Sequence, residues 1–129
     1  MEGLITPFYA GFLGLLLLIL SIRVILNRRS LQVAIGHGNQ PKLERAMRVQ
    51  ANFAEYVPLC LLLLFMLEMS SGGGGTQIHS LCILLLAGRC LHAYGVSQQE
   101  EKLPIRVAGM VMTFVVLVAT SLSLVWNNL

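Results

Sequence analysis

Four stretches of apolar residues, each close to the length that crosses a bilayer, constrain this chain more than any other feature. Leu4 to Leu26 holds one cation, Arg23, near its end. Leu59 to Leu67 is apolar throughout and continues a helical pattern that begins near Arg45. Ile78 to Val96 is mostly apolar but contains His79, Arg89 and His92, and Ile105 to Trp126 has no charge after Arg106. A span needs about 20 residues at a rise of about 1.5 Å each. The pattern predicts helices over about 4–26, 45–69, 76–96 and 104–126. The first run has no basic start and is too long for the apolar core of a secretory signal, so it reads as a retained helix. Only 12% of residues are charged, against about a quarter in a soluble domain. The expected fold class is therefore an all-α membrane protein, a four-transmembrane-helix bundle, with residues 1–129 forming one domain.

The charges predict an orientation. All nine Lys and Arg lie in or beside two loops. Arg23, Arg28, Arg29, Lys42, Arg45 and Arg48 flank the first, and Arg89, Lys102 and Arg106 flank the third. With four helices these loops share a side, which the positive-inside rule makes cytoplasmic. Both termini are then expected outside. The net charge of +3 follows from those loops, and no sequence pattern points to nucleic acid. Cys60, Cys82 and Cys90 sit inside apolar segments and read as small core residues rather than a disulfide framework. His79 and His92 are 13 residues apart on one helix, about 20 Å, too far to share a metal ion.

The connecting segments read as plain loops. Gly72 to Gly75 is a glycine run without the preceding strand or the Lys-Ser or Lys-Thr ending that a phosphate-binding loop requires. Gly36-His37-Gly38-Asn39, in the first loop, is expected to form a mobile turn with a solvated His. Pro104 stands where a helix can begin.

The informative segment is Arg45 to Pro58. At about 100° per residue, Arg48, Asn52, Glu55 and Tyr56 fall on roughly a third of the helix circumference. Glu44 and Arg45 extend this face toward the cytoplasm, while Val49, Phe53 and Val57 lie off it. Ionisable residues at membrane depth cost about 2.5–3.5 kcal/mol each on insertion scales, so they must be paired, hydrated or useful. Two readings fit the spacing. Arg48 and Glu55 can neutralise each other or join neighbouring helices, with Asn52 bridging. Alternatively, the stripe lines a polar pocket, where the arginine fork suits carboxylates and asparagine supplies a donor and an acceptor.

Further residues are expected at the same level. Arg28 and Arg29 leave the first helix, Arg89 and His92 share a face of the third, and Arg106 begins the fourth. The plain roles are interfacial anchoring for the outer arginines and packing for His92. Gathered together, these side chains would suit a small anion with several carboxylates, with apolar walls that admit a lipophilic co-substrate from the bilayer.

The string Arg48, three residues, Asn52, two residues, Glu55-Tyr56, one residue, Pro58 resembles the hallmark of the MAPEG family, the membrane-associated proteins in eicosanoid and glutathione metabolism. Asn27-Arg28-Arg29, Gly88-Arg89-Cys90-Leu91-His92 and Leu103-Pro104-Ile105-Arg106 are similar to the family at the other helices. The short tails look most like its small bacterial branch. The resemblance implies a homotrimer in a bacterial inner membrane, with glutathione as co-substrate between adjacent subunits near the cytoplasmic face. Arg48, Asn52, Glu55 and Tyr56 would bind it, Arg28 or Arg29 and Arg89 would line the same site, and His92 would lie beside it. Arg106 would be catalytic, stabilising the glutathione thiolate. A thiol with a pKa near 8.5 is mostly protonated at neutral pH, and an adjacent cation favours the nucleophilic form. Val96 and Val107 stand where eukaryotic members carry a Tyr and a Ser, so isomerase chemistry does not transfer. The implied activity is thiol transfer to a lipophilic electrophile, or reduction of a hydroperoxide. The alternatives are a binder of a small carboxylate or thiol without turnover, and a bundle whose stripe serves only assembly.

Overall fold

The computed structural model describes residues 3–70 and 75–129, and these form four helices with no strand among them. They are α1 (Ile5–Leu31), α2 (Pro41–Ser70), α3 (Thr76–Ser97) and α4 (Leu103–Asn127). All four are long and apolar enough to cross a membrane. Gly72, Gly73 and Gly74 of the glycine run lie outside the described residues; Gly75 is extended and precedes α3.

Two helices are longer than the hydropathy pattern predicts. α1 continues five residues past Leu26 to Leu31, carrying Arg28 and Arg29 in its last turn, where cations complement the helix dipole. It ends at Gln32 in the left-handed conformation, whose backbone N–H donates to the Arg28 carbonyl. α2 starts at Pro41 rather than Arg45. Proline is favoured in this first position because its missing N–H would have no helical partner there, and Glu44 sits favourably in the first turn.

The core is a seam of residues three and four apart, the spacing that keeps one face of a helix inward. In α2 it runs Val49, Phe53, Val57, Cys60, Leu64 and Leu67; in α1, Leu13 and Leu20 meet it. Large apolar side chains such as Phe8, Phe12, Leu18, Leu62 and Val118 point outward, as helices facing hydrocarbon require. α2 and α3 are central, touching each other and the outer helices, while α1 and α4 do not meet among the described residues. Cys60 and Cys82 occupy the core as expected, but Cys90 is exposed on α3, because its position falls outside the inward seam.

Candidate functional site

Small residues set the site by drawing α3 and α4 together. A Cβ added to Gly109 would lie 2.6 Å from the Gly88 carbonyl oxygen and 2.6 Å from the His92 backbone nitrogen. One added to Gly95 would lie 2.7 Å from the Arg106 backbone nitrogen. Contacts of that length with backbone leave room only for glycine. Close approach through small residues is the usual way membrane helices associate. Here it places His92 against Gly109, and the start of α4 with Arg106 against Gly95 near the end of α3.

One turn deeper lies a buried polar network. Arg89 on α3 is 1% exposed. Its Nη2 donates to Asn52 Oδ1 at 2.7 Å and to His92 Nδ1 at 3.2 Å. Its Nη1 faces Thr113 Oγ1 of α4 at 3.5 Å and the Met110 sulfur at 3.7 Å. The guanidinium also stands 5.8 Å from the Phe53 ring centroid. Its buried Nε has no hydrogen-bond partner. Because Arg89 can only donate, His92 Nδ1 accepts, and any proton on a neutral ring is on Nε2. Arg89 and His92 thus sit behind the stripe, and Asn52 connects them to it.

Toward the basic end a cavity of about 300 Å³ opens, lined by Glu44, Arg45 and Arg48 of α2, Val96 of α3, Glu101, and Arg106 of α4. Arg106 Nη1 donates to Glu101 Oε1 at 2.6 Å, and Arg45 lies 3.8 Å from the same oxygen. Three guanidinium groups therefore border one cavity, and one carboxylate pairs with two of them. Along the outer face of α2, Arg48 and Glu55 form a long pair at 4.0 Å with side chains 61% and 50% exposed. Tyr56 packs edge-on against Phe114 of α4, with ring centroids 5.4 Å apart.

The stripe of Arg48, Asn52, Glu55 and Tyr56 thus runs from the cavity past the Arg89 network, and Arg106 joins it at the mouth. Asn52 does not bridge Arg48 and Glu55, since its oxygen is taken by Arg89. Within this chain Arg28 and Arg29 lie beyond this level. Val24 of α1 already packs with Leu43 and Ala46, so the turns beyond it project past the start of α2. There Arg28 donates to the Gly36 carbonyl at 2.7 Å and to that of Val33 at 3.4 Å, bracing the first loop. Arg29 is exposed beside it. Gly36, Gly38 and Asn39 adopt positive φ, and His37 Nδ1 accepts from the Asn39 N–H at 3.0 Å.

Sequence reasoning did not single out Glu101 or Thr113. Thr113 was readable from Gly109, Thr113, Val116 and Thr120, a small-residue seam at helical spacing. Glu101 follows the end of α3 in a connecting turn, where helical periodicity gives no direction.

The chain is similar to known membrane proteins over nearly its whole length. The inner membrane protein YecN of Escherichia coli K12 is 32% identical over 123 residues, which cover 95% of this chain and 92% of YecN. YecN of the O6:H1 strain CFT073 gives the same figures. The MAPEG family model matches residues 6–126, the whole bundle from the first turn of α1 to the last of α4, and the chain belongs to the MAPEG family.

Proposed function

We propose that this protein is a glutathione-dependent transferase or peroxidase acting on lipophilic electrophiles. The observation that carries this reading is the cavity bordered by Arg45, Arg48 and Arg106 at the end of a polar stripe that enters the membrane. Its volume of about 300 Å³ falls at the lower end of small-molecule pockets, which span roughly 300–1,000 Å³. The donor set fits a peptide with two carboxylates and one ammonium. Arg45 and Arg48 suit the carboxylates, Glu55 suits the ammonium, and Asn52 keeps its amide N–H₂ free once Arg89 occupies its oxygen. Arg106 would stabilise the thiolate, which attacks an electrophilic carbon arriving from the bilayer. The new S–C bond forms as the leaving group departs with its electron pair. With a hydroperoxide, two thiols would instead be oxidised to a disulfide as the O–O bond is reduced to alcohol and water.

Exposure supports self-assembly, and the homotrimer is the form that the family resemblance implies. α2 has 30 residues and Glu55 is its fifteenth, so this half-exposed carboxylate stands near the middle of a helix about 45 Å long. A pair at 4.0 Å offsets little of the cost of two charges facing hydrocarbon. A second copy of the chain, with ligand in the seam, would cover both. The basic loops favour a cytoplasmic site with both termini outside, in an inner membrane like that of YecN. The Arg48–Glu55 pair also favours a second reading, a non-catalytic assembly that binds a small carboxylate or thiol, or uses the stripe only to join subunits.

Calorimetry of glutathione on the purified protein, with Arg48→Ala alongside, tests binding. Saturable binding that is lost in the variant is expected, and no binding at millimolar glutathione would overturn the proposal. Turnover with chlorodinitrobenzene, lowered in Arg106→Ala without loss of assembly, tests chemistry. Unchanged turnover would remove Arg106 from the mechanism.

A further inference from the structure

A second cavity, of about 360 Å³, lies on the other side of Arg45, lined by Arg23, Gln40, Lys42, Arg45, Ser97 and Gln99. Its residues come from three places that the bundle brings together: the last third of α1, the start of α2 and the end of α3. It holds three cations and three neutral hydrogen-bonding side chains, and no carboxylate lines it. Glu101, the neighbouring acid, faces the first cavity and is engaged there with Arg106 and Arg45. Among the described residues, no carboxylate lies within 4.0 Å of Arg23 or Lys42.

Arg23 is the residue that needs an explanation. It follows a long apolar run and stands next to Val24, the residue that meets Leu43 and Ala46. Its guanidinium is held by the Ser97 hydroxyl, which itself donates to the Ala93 carbonyl. Tethering at one nitrogen leaves the other donors of the fork available toward the cavity. Ile22, Ile19 and Leu15 of α1 are exposed apolar side chains that run from the level of Arg23 away from the basic end of the helix, toward the bilayer interior. A cationic seat at the interface, continuous with an apolar ridge below it, matches a molecule with an anionic head and a hydrocarbon tail.

We propose that this cavity binds the headgroup phosphate of an anionic phospholipid, with Arg23 and Lys42 as its cations and the acyl chain along Ile22, Ile19 and Leu15. Basic pockets between membrane helices are suited to such headgroups. The proposal does not depend on the glutathione reading, because Arg23 and Lys42 do not line the first cavity.

The test is native mass spectrometry of the full chain in detergent with equimolar phosphatidylglycerol and phosphatidylcholine. The wild type should retain phosphatidylglycerol in preference. Each cation near a membrane surface contributes about a fivefold factor toward anionic lipid, so Lys42→Gln should lower the preference by about that much and Arg23→Gln with Lys42→Gln by more. Lys42 is exposed in the first turn of α2, so its single variant tests the site even if the double variant does not fold. Arg29→Gln, at an exposed arginine outside the cavity, should retain the preference. Equal retention of the two lipids by the wild type would overturn the proposal. Equal loss in Arg29→Gln and Lys42→Gln would also overturn it, by showing diffuse charge attraction. Displacement of the lipid by millimolar inorganic phosphate would overturn it in favour of a free anion. Unchanged glutathione binding in Lys42→Gln keeps the two cavities distinct.

Discussion

Replacing Asn52 by alanine removes the closest acceptor of a buried cation. The Arg89 guanidinium has Asn52 Oδ1 at 2.7 Å, His92 Nδ1 at 3.2 Å and weaker contacts with Thr113 and Met110, and its Nε is already without a partner. Hydrogen bonds to a charged group contribute about 1.5–3 kcal/mol, whereas bonds between membrane helices average nearer 0.6 kcal/mol because the unfolded helices find other partners. The larger figure should govern here. No carboxylate lies within 4.0 Å of Arg89 among the described residues, and one of its donors is already orphaned. Asn52→Ala should therefore cost about 2 kcal/mol. Asn52→Asp, which supplies a carboxylate, should restore most of it. Arg89→Met fills the space without a charge, and its combination with Asn52→Ala should show a coupling of at least about 1 kcal/mol. Reversible unfolding in mixed micelles, followed by far-ultraviolet circular dichroism, measures all four variants against the wild type. A loss below about 0.5 kcal/mol in Asn52→Ala with additive effects in the double variant would refute the network as a structural element, since independent sites add within that margin.

Other perturbations address other parts of the molecule. Gly109→Ala should destabilise by about 1–3 kcal/mol, because its Cβ meets backbone atoms at 2.6 Å that cannot give way; the same unfolding assay reads it, and a neutral result would mean α3 and α4 part freely. Glu101→Gln frees Arg106 and Arg45 from a partly exposed pair. Such pairs are worth about 0–1 kcal/mol, so calorimetry should find glutathione binding tighter by up to about fivefold, and weaker binding would assign Glu101 to the ligand. Glu68→Ala should cost about 1–2 kcal/mol as a lost helix cap, raise hydrogen exchange at the amides of Ile5 and Thr6, and leave ligand binding unchanged.

Much of this arrangement can be read from the chain. Periodicity alone puts Arg48, Asn52, Glu55 and Tyr56 on one face of α2 and Val49, Phe53 and Val57 on the other, because a helix repeats every 3.6 residues regardless of its neighbours. The union of Asn52 with Arg89 is different. Both were expected at one depth, but which side chains meet depends on the rotation of α3 about its axis, and the glycine contacts with α4 help fix that. The end of α1 is not legible in hydropathy, which falls where charges begin, whereas the helix continues as long as its backbone bonds do and carries Arg28 and Arg29 in its last turn. Glu68 escaped notice inside an apolar run. Its function depends on backbone N–H groups more than sixty residues away, and no local pattern records them.

Glu68 has a consequence for the order in which the bundle is made. Fully buried near the end of α2, it accepts the backbone N–H groups of Ile5 and Thr6, the Thr6 bond at 2.9 Å, and so closes the first turn of α1. Before that contact forms, α1 exposes open donors and α2 carries an unpartnered acid, both costly in hydrocarbon. Neither helix is therefore a good lipid-soluble unit alone, and the pair becomes one when the acid finds the open turn. During synthesis the first two spans should thus leave the translocation channel together, as a hairpin. The second pair, α3 and α4, closes on itself through glycine and needs no such clasp.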